Sequence, residues 1–181
     1  MSNQVKLCCV KPEDIKTVVL SHMHLDHAGN INLFPHADVY VPGEDYKYGL
    51  AKVHMNPDGE THGGYIKEDL EAPVHQSQLG DEDFELAKGV EVVCLAGHTP
   101  NLLGLVVHLE GQTIILPQDC VYTSEIFGPP AKMSGFMYDS VSFLKSIEKV
   151  RRLAKKYDAK VFPAHDWEFF QTMKLAPKYY E

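Results

Sequence analysis

Apolar residues in this chain fall into short runs punctuated by glycine, proline and charged clusters. Residues 17–20 (Thr-Val-Val-Leu) form a β-branched run that reads as a buried strand. Residues 28–34 are expected to begin a short helix that Pro35 stops. A second strand covers 37–41 and is closed by Pro42-Gly43, after which 44–51 reads as helical. Residues 52–79 hold Pro57, Asp58-Gly59, Gly63-Gly64 and Pro73 and few apolar residues at either period. They are expected to form an excursion of loop and short extended pieces near a substrate entrance. Regular patterning returns with a strand over 90–95. Two further runs, 104–109 and 113–116, are joined by Glu110-Gly111-Gln112 as a hairpin. From Asp139-Ser140 the period becomes helical. Leu144, Ile147, Val150, Ala154 and Tyr157 are expected on one face, with Asp139 or Ser140 as the N-cap. Val161-Phe162 is a final short strand. Strands alternating with helices indicate an α/β class.

The length of 181 residues suits one domain spanning 1–181, and 44% apolar with 23% charged residues is the balance of a soluble globular chain. A net charge of −8 argues against nucleic acid or an anionic membrane as partner. The four cysteines, Cys8, Cys9, Cys94 and Cys120, show no framework spacing, which fits a reducing cytoplasm. The first residues lack the apolar core of a signal peptide, and no run is long enough to span a membrane. A cytoplasmic location is therefore expected.

What changes this bland picture is the placement of ligand-type residues. His22, His24, Asp26, His27, His98, Asp119 and His165 all lie just beyond the ends of predicted strands. Zinc and its first-row neighbours take neutral imidazole and carboxylate, and a hydrolytic site keeps one position open for water. In His-x-His-x-Asp-His, a turn after a strand can aim His22 and His24 at one ion and Asp26 and His27 at a second. His98 would complete the first set and His165 the second, with Asp119 bridging. Water held between two cations becomes a strong nucleophile, its pKa falling from ~15.7 to about 7 in well-studied cases. Asp26 is placed to orient it or to carry a proton to the leaving group.

These residues resemble the metallo-β-lactamase superfamily, and within it the N-acyl homoserine lactonase group. Ser21 to Gly29 (SHMHLDHAG) is similar to the superfamily's metal-binding signature, Gly97-His98-Thr99-Pro100 to its third histidine motif, and Ala164-His165-Asp166 to its last ligand segment. Asp119 resembles the bridging aspartate. Tyr122 coincides with the tyrosine that lactonases place over the lactone carbonyl, where its phenol would stabilise developing negative charge. The resemblance implies an αββα sandwich and two divalent ions, zinc foremost with iron, manganese or cobalt as alternatives. It also implies hydrolysis of a lactone by a hydroxide bridging the two ions, the substrate being an N-acyl homoserine lactone or related γ-lactone. Members carry a substantial segment before the first metal motif, whereas His22 comes almost at once here. The sandwich is thus expected to be incomplete at its N-terminus, with exposed strand edges that a partner or a homodimer would cover.

Two other readings remain: a thioester hydrolase of the glyoxalase II type, which shares these ligands, and a non-catalytic metal-binding remnant of a truncated hydrolase. A basic patch for a glutathione-like acid is not evident. Outside the motifs, His36, His54, His62 and His75 read as loop or surface residues and His108 as structural. Cys120 reads as a buried thiol. Asp166 is either a neighbour of the ligand shell or a cap. Phe127, Met133, Phe136 and Met137 line an acyl pocket or belong to the core.

Overall fold

Short β-branched runs with polar ends fold into short strands, and here they assort into two groups. A computed structural model describes residues 2–56 and 63–181. The chain divides into two compact units, Met1–Asp81 with Ala176–Lys178 and Glu82–Leu175 with Tyr179–Glu181. The expected loop residues Pro57, Asp58, Gly59 and His62 lie outside the described residues.

In chain order the first unit comprises α1 (Ser2–Leu7), β1 (Thr17–Val19), α2 (Leu25–Ala28), β2 (Asp38–Val41), α3 (Gly43–Met55), α4 (Lys67–Leu70) and β3 (Gln76–Leu79). The three strands are parallel in the order β1-β2-β3, with Val18 opposite Val39 and Tyr40 opposite Gln78. Parallel pairing requires crossovers. The chain supplies them as α2 with a 3-10 turn (Ile31–Leu33), and then as α3 with α4. Leu20, Met23, Ala28, Val39, Val41, Val53 and Leu70 form the core of this unit.

Three expectations are corrected here. The helix expected over 28–34 is broken in two: α2 starts earlier, inside the histidine-rich segment, and ends at Gly29. Gly29-Asn30 is a poor helix continuation, so only a 3-10 turn follows. The helix after β2 runs on to Met55, because Val53 finds a buried place on its inner face. Within 52–79 β3 is a short extended piece as expected, whereas α4 adds a helical turn that the composition does not suggest. Strand β3 reads Gln-Ser-Gln-Leu and is mostly exposed. As an edge strand it is held by backbone pairing, and its side chains need not be apolar.

The second unit comprises β4 (Phe84–Ala87), β5 (Val90–Cys94), β6 (Leu103–His108), β7 (Thr113–Leu116), α5 (Ser124–Phe127), α6 (Ser140–Tyr157), β8 (Lys160–Val161) and α7 (Trp167–Phe170). β4 to β7 form an antiparallel meander, and α6 carries the chain back so that β8 pairs parallel with β7. The expected hairpin is β6–β7, closed by the Leu109 N–H donating to the Gln112 carbonyl (2.9 Å). Strand β4 escaped the sequence pattern: it is a four-residue edge strand with a bulge between Glu85 and Ala87.

Asp139 caps α6, its carboxylate accepting the N–H groups of Val141 and Ser142. The inner face of α6 begins at Phe143 and not at Leu144. Phe143, Ile147 and Val150 are fully buried, with Ala154 and Tyr157 packed at the margin, whereas Leu144 is 38% exposed. Burying each of the three contributes about 1.5–3 kcal/mol, enough for packing to set the rotation of the helix. Among the described residues no helix is long and apolar enough to cross a membrane.

Candidate metal centre

In the first unit the histidine-rich segment leaves the end of β1. The Leu20 N–H donates to the Tyr40 carbonyl at 2.9 Å, the last tie before Ser21-His22-Met23-His24 runs out. His22 is fully buried. The Ser21 hydroxyl lies 3.1 Å from His22 Nδ1 and 3.0 Å from His27 Nδ1, so one side chain engages the same ring position of both imidazoles. The two rings sit 4.1 Å apart. His22 Nε2 and His24 Nδ1 are 3.1 Å apart. Two nitrogen donors on one tetrahedral ion at zinc distances stand roughly 3.3–3.4 Å apart, so this spacing suits a shared cation. The turn of α2 then presents Asp26 and His27. The Asp26 carboxylate is half-exposed, 3.6 Å from His27 Nε2.

In the second unit His98 follows β5 in the Gly-His-Thr-Pro turn. Gly97 is required there: its φ is +132°, and a Cβ would stand 2.3 Å from the Phe143 backbone. His98 Nδ1 lies 3.1 Å from the Phe136 carbonyl, to which it can only donate. Its Nε2 faces Asp119 Oδ2, 3.4 Å away, a pairing that either a proton on Nε2 or a cation between the two groups satisfies. Asp119 sits in the 3-10 turn Gln118–Cys120 beyond β7, entered through Gln118 at φ +51°. Its other oxygen, Oδ1, lies 3.1 Å from His165 Nε2. Each carboxylate oxygen thus faces a different imidazole. Asp119 and His98 are both buried, and a buried carboxylate is costly without positive charge nearby. The Tyr122 hydroxyl is 3.3 Å from His98 Nδ1, and its ring stacks on His165 at 5.0 Å. The His165 N–H donates to the Tyr122 carbonyl at 2.8 Å, which locks the two strand ends together.

Each unit therefore gathers its own share of the expected residues: His22, His24, Asp26 and His27 in one, His98, Asp119, Tyr122 and His165 in the other. The imidazole and carboxylate donors and their spacings suit first-row divalent ions. Several open readings resolve. Asp166 is a cap: it accepts the N–H groups of Phe169 and Ser124 and the Ser124 hydroxyl, and these bonds hold its carboxyl below the usual range. Cys120 is a core thiol whose pKa burial pushes up to about 12. Phe127 and Met137 pack on the core, while Met133 and Phe136 are exposed. His108 bridges Glu91 (2.6 Å) and Thr113 (3.1 Å) as a structural residue. His36 meets the Ile15 carbonyl, and His54 and His75 pair with Glu71 and Asp38. The Phe136 carbonyl, which orients His98, left no trace in the sequence because it is a backbone group.

The family description of the metallo-beta-lactamase superfamily matches residues 10–165. The chain is 32% identical to the N-acyl homoserine lactonase AttM of Rhizobium radiobacter, over 98% of this chain and 68% of that protein. In structure it is similar to a B. thuringiensis AiiA mutant with N-decanoyl-L-homoserine bound at the active site. The TM-score is 0.84 at 27% identity, covering 99% of this chain and 67% of the other. The same values relate it to an N-acyl homoserine lactone hydrolase with the product N-hexanoyl-L-homoserine bound at its catalytic metal centre. The chain spans about two thirds of the length of these relatives. With its histidine and aspartate motifs standing at strand ends and its fold shared with these enzymes, the chain belongs to the metallo-beta-lactamase superfamily and, within it, to the N-acyl homoserine lactonase family.

Proposed function

We propose that this chain is a metal-dependent hydrolase that opens the ring of N-acyl homoserine lactones. In this reading His22, His24, Asp26, His27, His98, Asp119 and His165 hold two divalent ions, zinc foremost. When bound, the ions supply Lewis acidity and a water acidified to a pKa of about 7. The observation that carries the reading is Asp119, buried, with each oxygen turned to a different histidine and Tyr122 alongside. Water oxygen adds to the lactone carbonyl carbon, the ring C–O bond breaks, and the ring oxygen leaves as the product hydroxyl. One proton is released as the carboxylic acid ionises. The Tyr122 hydroxyl donates a hydrogen bond to the oxygen on which charge develops. Asp26, half-exposed beside His27, takes the proton from the attacking water and delivers it to the leaving oxygen. A cytoplasmic location belongs to the same reading, supported by the spacing of Cys8, Cys9, Cys94 and Cys120, which forms no disulfide framework. Homodimer assembly belongs to it as well, supported by the position of β1 at a sheet edge.

The test is proton release from a short-chain and a long-chain N-acyl homoserine lactone by zinc-loaded protein, against a metal-stripped control. Metal-dependent turnover is expected. A folded, two-metal protein that leaves both lactones intact would refute the substrate assignment and favour a thioester substrate.

A further inference from the structure

Behind the first histidine pair stands a buried polar assembly that no sequence motif marks. Asp45, in the first turn of α3, is fully buried, and Tyr65 is nearly so. Asp45 Oδ2 accepts the Met23 N–H at 2.7 Å. That N–H belongs to the residue separating His22 from His24. The other carboxylate oxygen accepts the Tyr65 hydroxyl. Tyr65 in turn forms an isolated antiparallel bridge with His24, its ring edge-on to the imidazole at 4.8 Å. The Leu25 N–H donates to the Gly64 carbonyl at 2.8 Å. The fit is close on both sides. A Cβ at Gly64 would come within 3.0 Å of the His24 ring, and one at Gly49 within 2.6 Å of the Tyr65 ring.

We propose that Asp45 and Tyr65 are positioning residues that fix the backbone between His22 and His24, setting the 3.1 Å spacing of their nitrogens before an ion arrives. This rests on the metal-centre reading above. A carboxylate withdrawn from water is unfavourable unless strongly bonded. The helix start lends it partial positive charge, and among its partners are one donor from the histidine-rich segment and one from the residue packed against His24. Without the carboxylate, Met23 loses its anchor and the two imidazoles must be ordered at the expense of metal affinity. Loss of such outer partners typically weakens metal binding 10–100-fold.

Cobalt(II) titration against a competing chelator tests this, read by affinity and by the visible d–d spectrum, with thermal unfolding of the metal-free proteins as the control for folding. Asp45→Ala is expected to bind cobalt roughly 10–100-fold more weakly and with an altered spectrum. Asp45→Asn keeps an oxygen acceptor for the Met23 N–H and should restore most of the affinity. Tyr65→Phe should fall between. A folded Asp45→Ala with wild-type affinity and spectrum overturns the proposal. So does an Asp45→Asn loss equal to that of Asp45→Ala, since charge and not the hydrogen bond would then matter. Should Asp45→Ala fail to fold, unchanged affinity in Tyr65→Phe overturns it. Wild-type protein that binds no cobalt would remove the metal-centre reading itself, a failure visible without any variant.

Discussion

Replacing Gly97 by alanine should damage both stability and the metal centre. The new Cβ would lie 2.3 Å from both Cα and N of Phe143 and 2.7 Å from its Cβ, against a comfortable carbon–carbon separation of roughly 3.5–4.0 Å. These are mainly backbone atoms of a helix start, so no rotamer change relieves the overlap. The φ of +132° adds strain of about 1–3 kcal/mol for a residue with a side chain, and forcing the backbones apart adds ~1–3 kcal/mol. Together this is about 4 kcal/mol, or roughly 8–16 °C in Tm for a chain of this length. The cheapest relaxation moves the turn that carries His98, so its contacts to the Phe136 carbonyl and Asp119 should loosen and metal affinity fall. Urea unfolding and cobalt titration measure the two effects. Gly135, with nothing near its Cβ position, is the control and should change by no more than ~0.5 kcal/mol on becoming alanine. A Gly97→Ala loss below about 1 kcal/mol with wild-type metal affinity would refute the reasoning.

Tyr122→Phe should lower kcat on the order of 100-fold while cobalt affinity holds, and equal losses in both would assign the phenol a structural role instead. The corrected face of α6 predicts that Ile147→Ala costs about 2–5 kcal/mol, whereas Leu144→Lys stays within ~0.5 kcal/mol by denaturant unfolding. Asp166 has a folded-state pKa below its unfolded one. It therefore contributes stability that is full above the unfolded value of about 3.9 and lost as pH falls through the folded value. Asp166→Asn should accordingly be less stable than wild type by a constant amount from pH 5 to 8. The gap should close in acid, and one that persists at pH 2 would show the bonds do not depend on the charge.

The candidate ligand residues were legible because they are polar residues at the ends of β-branched runs, where burial patterns break off. His22, His98, Asp119 and His165 each announce themselves in that way. Strand β4 was not legible, and β3 only as an unplaced extended piece within 52–79. An edge strand such as Gln-Ser-Gln-Leu is stabilised by backbone hydrogen bonds, which any sequence can make. Phe143 and Leu144 are adjacent apolar residues that both fit a helical stripe. What chooses Phe143 is its packing beside Gly97, a contact distant in sequence. Asp45 is one of two acidic residues in the first turn of α3, and nothing local discloses that its carboxylate faces inward to Met23.

The two pairing patterns have a kinetic corollary. In the second unit β4 to β7 are joined by connections of two, eight and four residues, so each strand meets its neighbour without a helical crossover. In the first unit every pairing must wait for a crossover, with Asp38 and Gln76 in register across 38 positions. Loop closure of that kind is entropically slow. During refolding the β5–β6–β7 amides should gain protection from hydrogen exchange first, so that the turn bearing Asp119 takes shape on a finished sheet while the first histidine pair is still awaiting its own.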